Sequence, residues 1–284
     1  MTYEKLYEKG VSVLKNAGME EAKLDARLLL EFVCGTNRND LLVHGDREVD
    51  TGSQERYLTL IAERAEHVPL QHLTGVQDFM GLEFEVNEHV LIPRQDTEIL
   101  VEEVLRELHD GMRILDMCTG SGCILISLLH YSNHCIGTGV DISDEALKVA
   151  VRNARKLLPE KENRSFLSFV KGDLFDAVTG KYEFIVSNPP YIRSDVCETL
   201  MPEVREHEPA IALDGHEDGL FFYRQIVESA PEYLVSGGRL YFEIGYDQAE
   251  DVQNLMLHRG FQEVRVVKDY AGLDRVVYGT YIAP

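Results

Sequence analysis

The chain is short of positive charge: 28 Lys and Arg stand against 49 Asp and Glu over 284 residues, a net charge of −21. Such a surface on average repels a phosphate backbone, so no direct nucleic-acid partner is expected; a local basic patch is the one route left to such binding. Long apolar runs are also missing. The longest, at residues 123–129, falls far below the roughly 18 residues of a membrane span, and Glu4 and Glu8 break any signal-peptide pattern near the start. A soluble, cytoplasmic protein with no membrane partner is the expectation. The five cysteines, Cys34, Cys118, Cys123, Cys135 and Cys197, are odd in number and scattered, with no Cys-x-x-Cys pair and no His at zinc-ligand spacing. That pattern excludes a disulfide framework and a metal finger and predicts buried, reduced thiols. There are no internal repeats, no low-complexity tracts and no obvious catalytic triad.

What is present is enough apolar residue, 44% of the chain, to build one large domain and a smaller one. Residues 1–75 read as helices: Leu24, Leu28 and Phe32 recur at helical spacing, as do Tyr57, Leu60, Ile61 and Arg64. This module carries no chemistry of its own and is assigned to substrate recognition. From Asp78 to Val86 the period changes to two, the mark of a hairpin, so residues 76–92 are read as a linker. Residues 93–284 form the third segment, a helix opening near Thr97 or Asp96 as N-cap, then short β-rich runs alternating with helical ones. Strands are placed at 113–117, 135–140, 166–171, 183–187 and 239–244, followed by 261–267 and 275–281 across a loop too short for a crossover helix. A mostly parallel α/β sheet closed by an antiparallel hairpin is the Rossmann-like architecture of class I methyltransferases, which use S-adenosylmethionine (SAM).

The first strand runs into Cys118-Thr119-Gly120-Ser121-Gly122 and then a helix, the place where glycines let the backbone turn and approach a ligand. A dinucleotide fingerprint wants a third glycine where Leu125 stands, a side chain expected to crowd the helix against the sheet, and this disfavours NAD. A second Gly-x-Gly, Gly137 to Gly139, is expected by chance in a chain with 22 glycines. Asp141 follows the second strand, where a carboxylate can accept ribose hydroxyls; a helix-start acid beside Ser143 is the other reading. After the third strand, Asp173 could accept from an adenine amino group while Leu174 covers the ring, or Asp173 could be a solvated turn residue.

The fourth strand ends in Asn188-Pro189-Pro190-Tyr191, a tetrapeptide expected by chance roughly once in a thousand chains of this length. Pro189 confines Asn188 to extended conformations, so the Asn188 side-chain oxygen and a neighbouring main-chain carbonyl hold a fixed divergence. Two fixed acceptors match one planar NH2. With Tyr191 limiting its tilt, such a group would be aligned on a sulfonium methyl, and alignment alone is worth effective molarities of about 10⁵–10⁸ M.

These four residues, with LIPRQDTE at 91–98, PLQHLTG at 69–75 and HEPAIALDGHEDGL at 207–220, resemble the peptide-chain release-factor glutamine N5-methyltransferase family over residues 63–280. The resemblance implies SAM as methyl donor and, as protein partner and substrate, the glutamine of the Gly-Gly-Gln motif of bacterial class 1 release factors. It implies cofactor contacts at Cys118 through Gly122, Asp141, Leu174 and Asn188, and substrate and catalytic contacts at Asn188, Pro189, Pro190 and Tyr191. Three positions depart from the family pattern: Cys118 for Gly, Leu174 for an aromatic, Gln95 for Pro. A monomer is expected. Two other readings stay open: adenine-N6 methylation of nucleic acid, against which the acidic charge speaks, and a non-catalytic SAM-binding module, which would not need Asn188 through Tyr191 together.

Overall fold

The computed structural model describes residues 1–158 and 166–283, and contacts divide it into two units: Met1–Gly75 with Met201–His207, and the remainder. The first holds α1 (Tyr3–Asn16), α2 (Ala22–Cys34), α3 (Arg38–Val43), α4 (Thr51–Ala65) and α5 (Leu70–Thr74). Caps start three of them: Thr2 accepts from the Lys5 amide at 3.4 Å, Asn37 from the Asn39 amide at 3.0 Å and Asp50 from the Ser53 amide at 2.9 Å. Leu6, Leu14, Leu29, Leu30, Tyr57 and Ile61 fill the core.

The buried face of α2 is not the one the leucine spacing suggests. Leu24 and Phe32 are exposed, while Ala22, Ala26, Leu29 and Leu30 turn inward. Ala26 is small enough for Tyr57 of α4 to come close, and the Tyr57 hydroxyl donates to the Ala26 carbonyl at 3.2 Å. Arg64 is buried with a partner: its Nε donates to Asp25 at 2.8 Å and its Nη1 to Glu203 at 3.3 Å. Residues 201–207, expected with the 93–284 segment, therefore pack with the helices, held by an ion pair between residues far apart in sequence.

In the second unit, β1 (Val76–Phe79) and β2 (Leu82–Glu85) form the hairpin, turning at Met80 and Gly81, both at positive φ. Along the chain follow α6 (Glu98–Leu105), β3 (Arg113–Met117), α7 (Cys123–His130), β4 (Ile136–Asp141), α8 (Asp144–Leu157), β5 (Leu167–Lys171) and β6 (Tyr182–Ser187). Then come α9 (Ser194–Cys197), α10 (Pro202–Arg205), which lies in the first unit, α11 (Phe221–Ser229), β7 (Leu234–Glu243), α12 (Ala249–Arg259), β8 (Gln262–Lys268) and β9 (Asp274–Thr280). Among the described residues the main sheet has seven strands in the order β5-β4-β3-β6-β7-β9-β8, parallel as far as β7 and antiparallel at β9 and β8. The strand expected from 239 begins already at Leu234.

One local expectation holds only in part and another fails. Thr97 does stand at the N-cap of α6, but its side chain makes no capping hydrogen bond: a 3₁₀ turn over Gln95–Thr97 leads in, and Asp96 pairs with Arg275 at 3.2 Å. Leu125 does not crowd α7 off the sheet. A Cβ added to Gly137 would lie 3.0 Å from Leu125 and 2.9 Å from Leu129, and one added to Gly139 would lie 2.7 Å from Phe169. Gly137 is thus the floor that admits the leucines of α7, while Gly139 makes room for Phe169. Of the five free cysteines, Cys135 is buried and the other four are half-buried, less enclosed than expected. No helix among the described residues is long and apolar enough to cross a membrane.

Candidate active site

Strand order reverses at β3, which pairs with β4 on one side and β6 on the other. Such a switch point opens a crevice at the carboxyl ends of the strands, and a cavity of about 380 Å³ lies there. Its lining includes Cys118, Thr119, Gly120 and Ser121 after β3, Asp141 at the end of β4, Asp173 and Leu174 after β5, and Asn188 and Pro190 after β6. Gly122, Pro189 and Tyr191 stand outside that lining. A Cβ on Gly122 would meet Ile126 at 2.8 Å and Ala150 at 3.2 Å, so this glycine serves the packing of α7 and α8.

Asp141 ties the glycine loop to the next helix: its Oδ2 accepts from the Gly120 amide at 2.8 Å and its Oδ1 from the Ser143 amide at 2.9 Å. Ser143 in turn caps α8, accepting from the Ala146 amide at 3.2 Å. Burial raises the Asp141 carboxyl, and these amide hydrogen bonds oppose the rise. A carboxylate has about four acceptor sites, so two amides leave room for ligand hydroxyls. Beneath it, burial pushes Asp116 up to about 7 against a 2.6 Å hydrogen bond from Thr119, and its Oδ1 is buried without a partner.

At the other end of the cavity, the Ser187 hydroxyl donates to the Met117 carbonyl at 2.7 Å and locks the tip of β6 to that of β3. Asn188 donates through Nδ2 to Thr97 Oγ1 at 3.4 Å, and Tyr191 Oη donates to Glu243 Oε1 at 3.3 Å. Glu243, the last residue of β7, is buried; burial lifts its carboxyl to about 7, against hydrogen bonds from Thr97 and Tyr191 and the Arg275 charge.

The segment from Leu213 to Gly219 clamps the loop from outside. Ile192 N–H donates to the Leu213 carbonyl at 3.0 Å, Gly215 N–H to the Ile192 carbonyl at 2.7 Å, and Gln248 Nε2 to the Tyr191 carbonyl at 3.0 Å. Gly219 sits at φ +75, and an added Cβ would stand 2.4 Å from the Tyr191 oxygen. Just upstream, Arg94 pairs with the buried Glu208 at 2.6 Å, and Arg94, Pro209 and Ile211 wall the cavity. The sequence motif at 207–220 thus has its physical content in the backing of Asn188 through Tyr191. Thr97, Glu243, Glu208 and Gln248 were not found by sequence reasoning; their only signal was membership in the quoted motif segments for Thr97 and Glu208.

Residues 5–75 match the PrmC N-terminal domain family and residues 94–203 the methyltransferase small domain family. The chain is 42% identical over 267 residues to the release factor glutamine methyltransferase of Geobacter sulfurreducens, covering 94% of this chain and 92% of that one. The chain belongs to the release factor glutamine methyltransferase family. A second member, from Fusobacterium nucleatum, is 41% identical over 278 residues, with 96% of this chain and 77% of the relative covered. A crystal structure of a methyltransferase from Pyrococcus furiosus aligns with a TM-score of 0.53 at 18% identity over 82% of this chain and all of that one, a likeness of fold. In this member of the release factor glutamine methyltransferase family, Cys118 and Leu174 both lie at positive φ, +62 and +47. A left-handed conformation costs a non-glycine residue about 1–2 kcal/mol. That cost makes Cys118 a strained residue at the position where the resemblance led to the expectation of Gly.

Proposed function

We propose that the chain transfers a methyl group from SAM to the side-chain amide nitrogen, N5, of the glutamine in the Gly-Gly-Gln motif of bacterial class 1 release factors. It would do so in the cytoplasm, with the release factor as protein partner and the helical unit, 1–75, as the recognition module. Family membership supports the reaction class. The observation that carries the residue assignment is the orientation of Asn188: its nitrogen is committed to Thr97, which leaves Oδ1 as a fixed acceptor at the cavity that Asn188 lines.

The cavity fits the cofactor on three counts. Its volume, about 380 Å³, falls within the roughly 300–1,000 Å³ of small-molecule sites; the glycine loop brings backbone close; and Asp141 keeps acceptor capacity for ribose hydroxyls beside the apolar Leu174. Bound there, SAM supplies a methyl on a positively charged sulfur, so the chain needs no covalent nucleophile.

What the chain's own residues do is align. An amide nitrogen is a poor nucleophile because its lone pair is delocalised. Asn188 Oδ1 and a neighbouring main-chain carbonyl accept both of its N–H bonds, and Pro189 and Pro190 keep those acceptors from drifting apart. Tyr191, tied to Glu243 through its hydroxyl and to Gln248 through its carbonyl, serves as the anchor of this loop and not as a ring laid over the substrate. The net charge of −21 favours a basic protein surface over a nucleic-acid strand as the approaching partner.

Incubation with labelled SAM and two acceptors, a release factor and duplex DNA, tests the substrate. The methyl should be found by mass on the glutamine, and label on DNA alone would refute the reading. Asn188→Ala should lower kcat by at least a hundredfold with SAM affinity nearly unchanged, since it removes an interaction made to the reacting amide. Full turnover in that variant would overturn the assignment.

A further inference from the structure

The carboxyl edge of the sheet carries more than the cavity. β7 ends at Glu243, and β9, which starts at Asp274 and runs antiparallel to it, pairs Val276 with Glu243. The loop after β7 and the loop joining β8 to β9 therefore leave the sheet at the same edge as Asn188, which follows the neighbouring β6. They run side by side, with the Ile244 amide donating to the Arg275 carbonyl at 2.9 Å. Both are held stiff. Asp269 accepts through Oδ1 from the Ala271 and Leu273 amides, each at 2.9 Å, and through Oδ2 from Arg275 at 3.0 Å, while the Gly245 amide donates to Gln248 Oε1 at 2.9 Å. On these fixed loops stand Tyr246, Tyr270 and Leu273, exposed by 63%, 87% and 45%, and none of the three lines the cavity.

The surroundings are acidic. Residues 244–251 carry Asp247, Glu250 and Asp251, all exposed, and no Lys or Arg. Residues 95–103 bring Asp96, Glu98 and Glu102, again with no Lys or Arg, and are joined to the β8–β9 loop by the Asp96–Arg275 pair at 3.2 Å and by the Tyr270 hydroxyl, which donates to Glu102 at 3.0 Å. The cations flanking that loop are already matched, Lys268 with Asp274 at 2.6 Å and Arg275 with Asp269 at 3.0 Å. Exposed tyrosines among carboxylates suit one kind of visitor, because a guanidinium lies on the ring face while a carboxylate takes its N–H groups. We propose that Tyr246, Tyr270 and Leu273 form a docking surface, outside the reaction cavity, for a basic face of the protein that delivers the glutamine. This rests on the reading that the acceptor is a release factor. Tyrosine gives up little rotamer freedom on docking, and aromatic anchors of this kind carry most of the energy of an interface, with the carboxylates around them speeding the encounter.

The test uses the whole protein and a release factor. It measures kcat, KM, SAM affinity and melting temperature for Tyr270→Phe, the Tyr246→Ala/Tyr270→Ala double variant and the Asp247→Asn/Glu250→Gln/Asp251→Asn triple variant. The double variant should raise KM for the release factor about tenfold or more with kcat and the SAM dissociation constant changed less than about threefold, the signature of binding lost away from the reacting atoms. Its melting temperature should not move, since both rings stand in water. Tyr270→Phe keeps the ring and should stay within about threefold of wild type in KM. The triple variant should raise KM and flatten the fall of kcat/KM with rising salt. An unchanged KM in the double variant overturns the proposal, and so does a loss confined to kcat. Sedimentation that finds a wild-type dimer broken by the double variant assigns the surface to a second copy of the chain and overturns it as well. If wild type leaves the release factor unmethylated, the reading of the substrate falls and this proposal with it; if wild type methylates it and the double variant keeps its KM, only the docking surface falls.

Discussion

Replacing Glu243 with Gln should change how the stability of the protein depends on pH. The carboxyl is lifted by burial from 4.5 to about 7 in the folded chain, whereas in the unfolded chain it titrates near its ordinary value. Between those two points the folded chain holds a proton that the unfolded chain has released, so stability falls as pH rises. The contribution is fully present below 4.5 and fully lost above about 7. Each unit of difference is worth about 1.4 kcal/mol, which puts the total at about 3–4 kcal/mol. An amide does not titrate. The stability of Glu243→Gln relative to wild type should therefore improve by about 2–3 kcal/mol between pH 5 and pH 8. Urea unfolding followed by circular dichroism at a series of pH values measures both proteins. Asp116, also lifted by burial to about 7, adds a slope of the same sign to each and drops out of the difference. Curves for the two proteins that run parallel from pH 5 to pH 8 would refute the burial argument.

Gly219→Ala combines a left-handed backbone at φ +75 with a Cβ 2.4 Å from the Tyr191 oxygen, and should cost about 3 kcal/mol and most of the turnover. An unchanged melting temperature would show that the clamp yields freely. Leu174→Phe should tighten SAM binding about two- to tenfold by stacking on the adenine ring, and calorimetry that finds no gain counts against the placement of the ring. Asp141→Ala should weaken SAM binding by at least tenfold, since hydrogen bonds to a charged acceptor are worth about 1.5–3 kcal/mol; a dissociation constant that does not move removes the ribose role.

The alternation of β-rich and helical runs, the antiparallel ending and the glycine loop could be read from the chain because each depends on residues close in sequence. The same holds for Asn188, whose backbone is constrained by the proline that follows it. Leu24 and Phe32 show the limit of that reading. A periodic face tells where apolar residues recur, but the partner decides which face is covered, and Tyr57 selects the alanine side of α2. Leu125 shows it again: an apparent steric obstacle is absorbed by Gly137 on the strand beneath it.

What the amino-acid order determined by itself is the chemistry on offer: an amide oxygen beside a rigid Pro-Pro pair, a glycine turn, a carboxylate after the second strand, and an acidic surface. What only the tertiary structure decided is how that amide is held. Thr97 lies 91 positions from Asn188, and Glu243 lies 52 from Tyr191. No local rule links such residues. Glu243 reaches Tyr191 because β7 pairs beside β6, and Thr97 reaches Asn188 because the chain brings the start of α6 to the same loop.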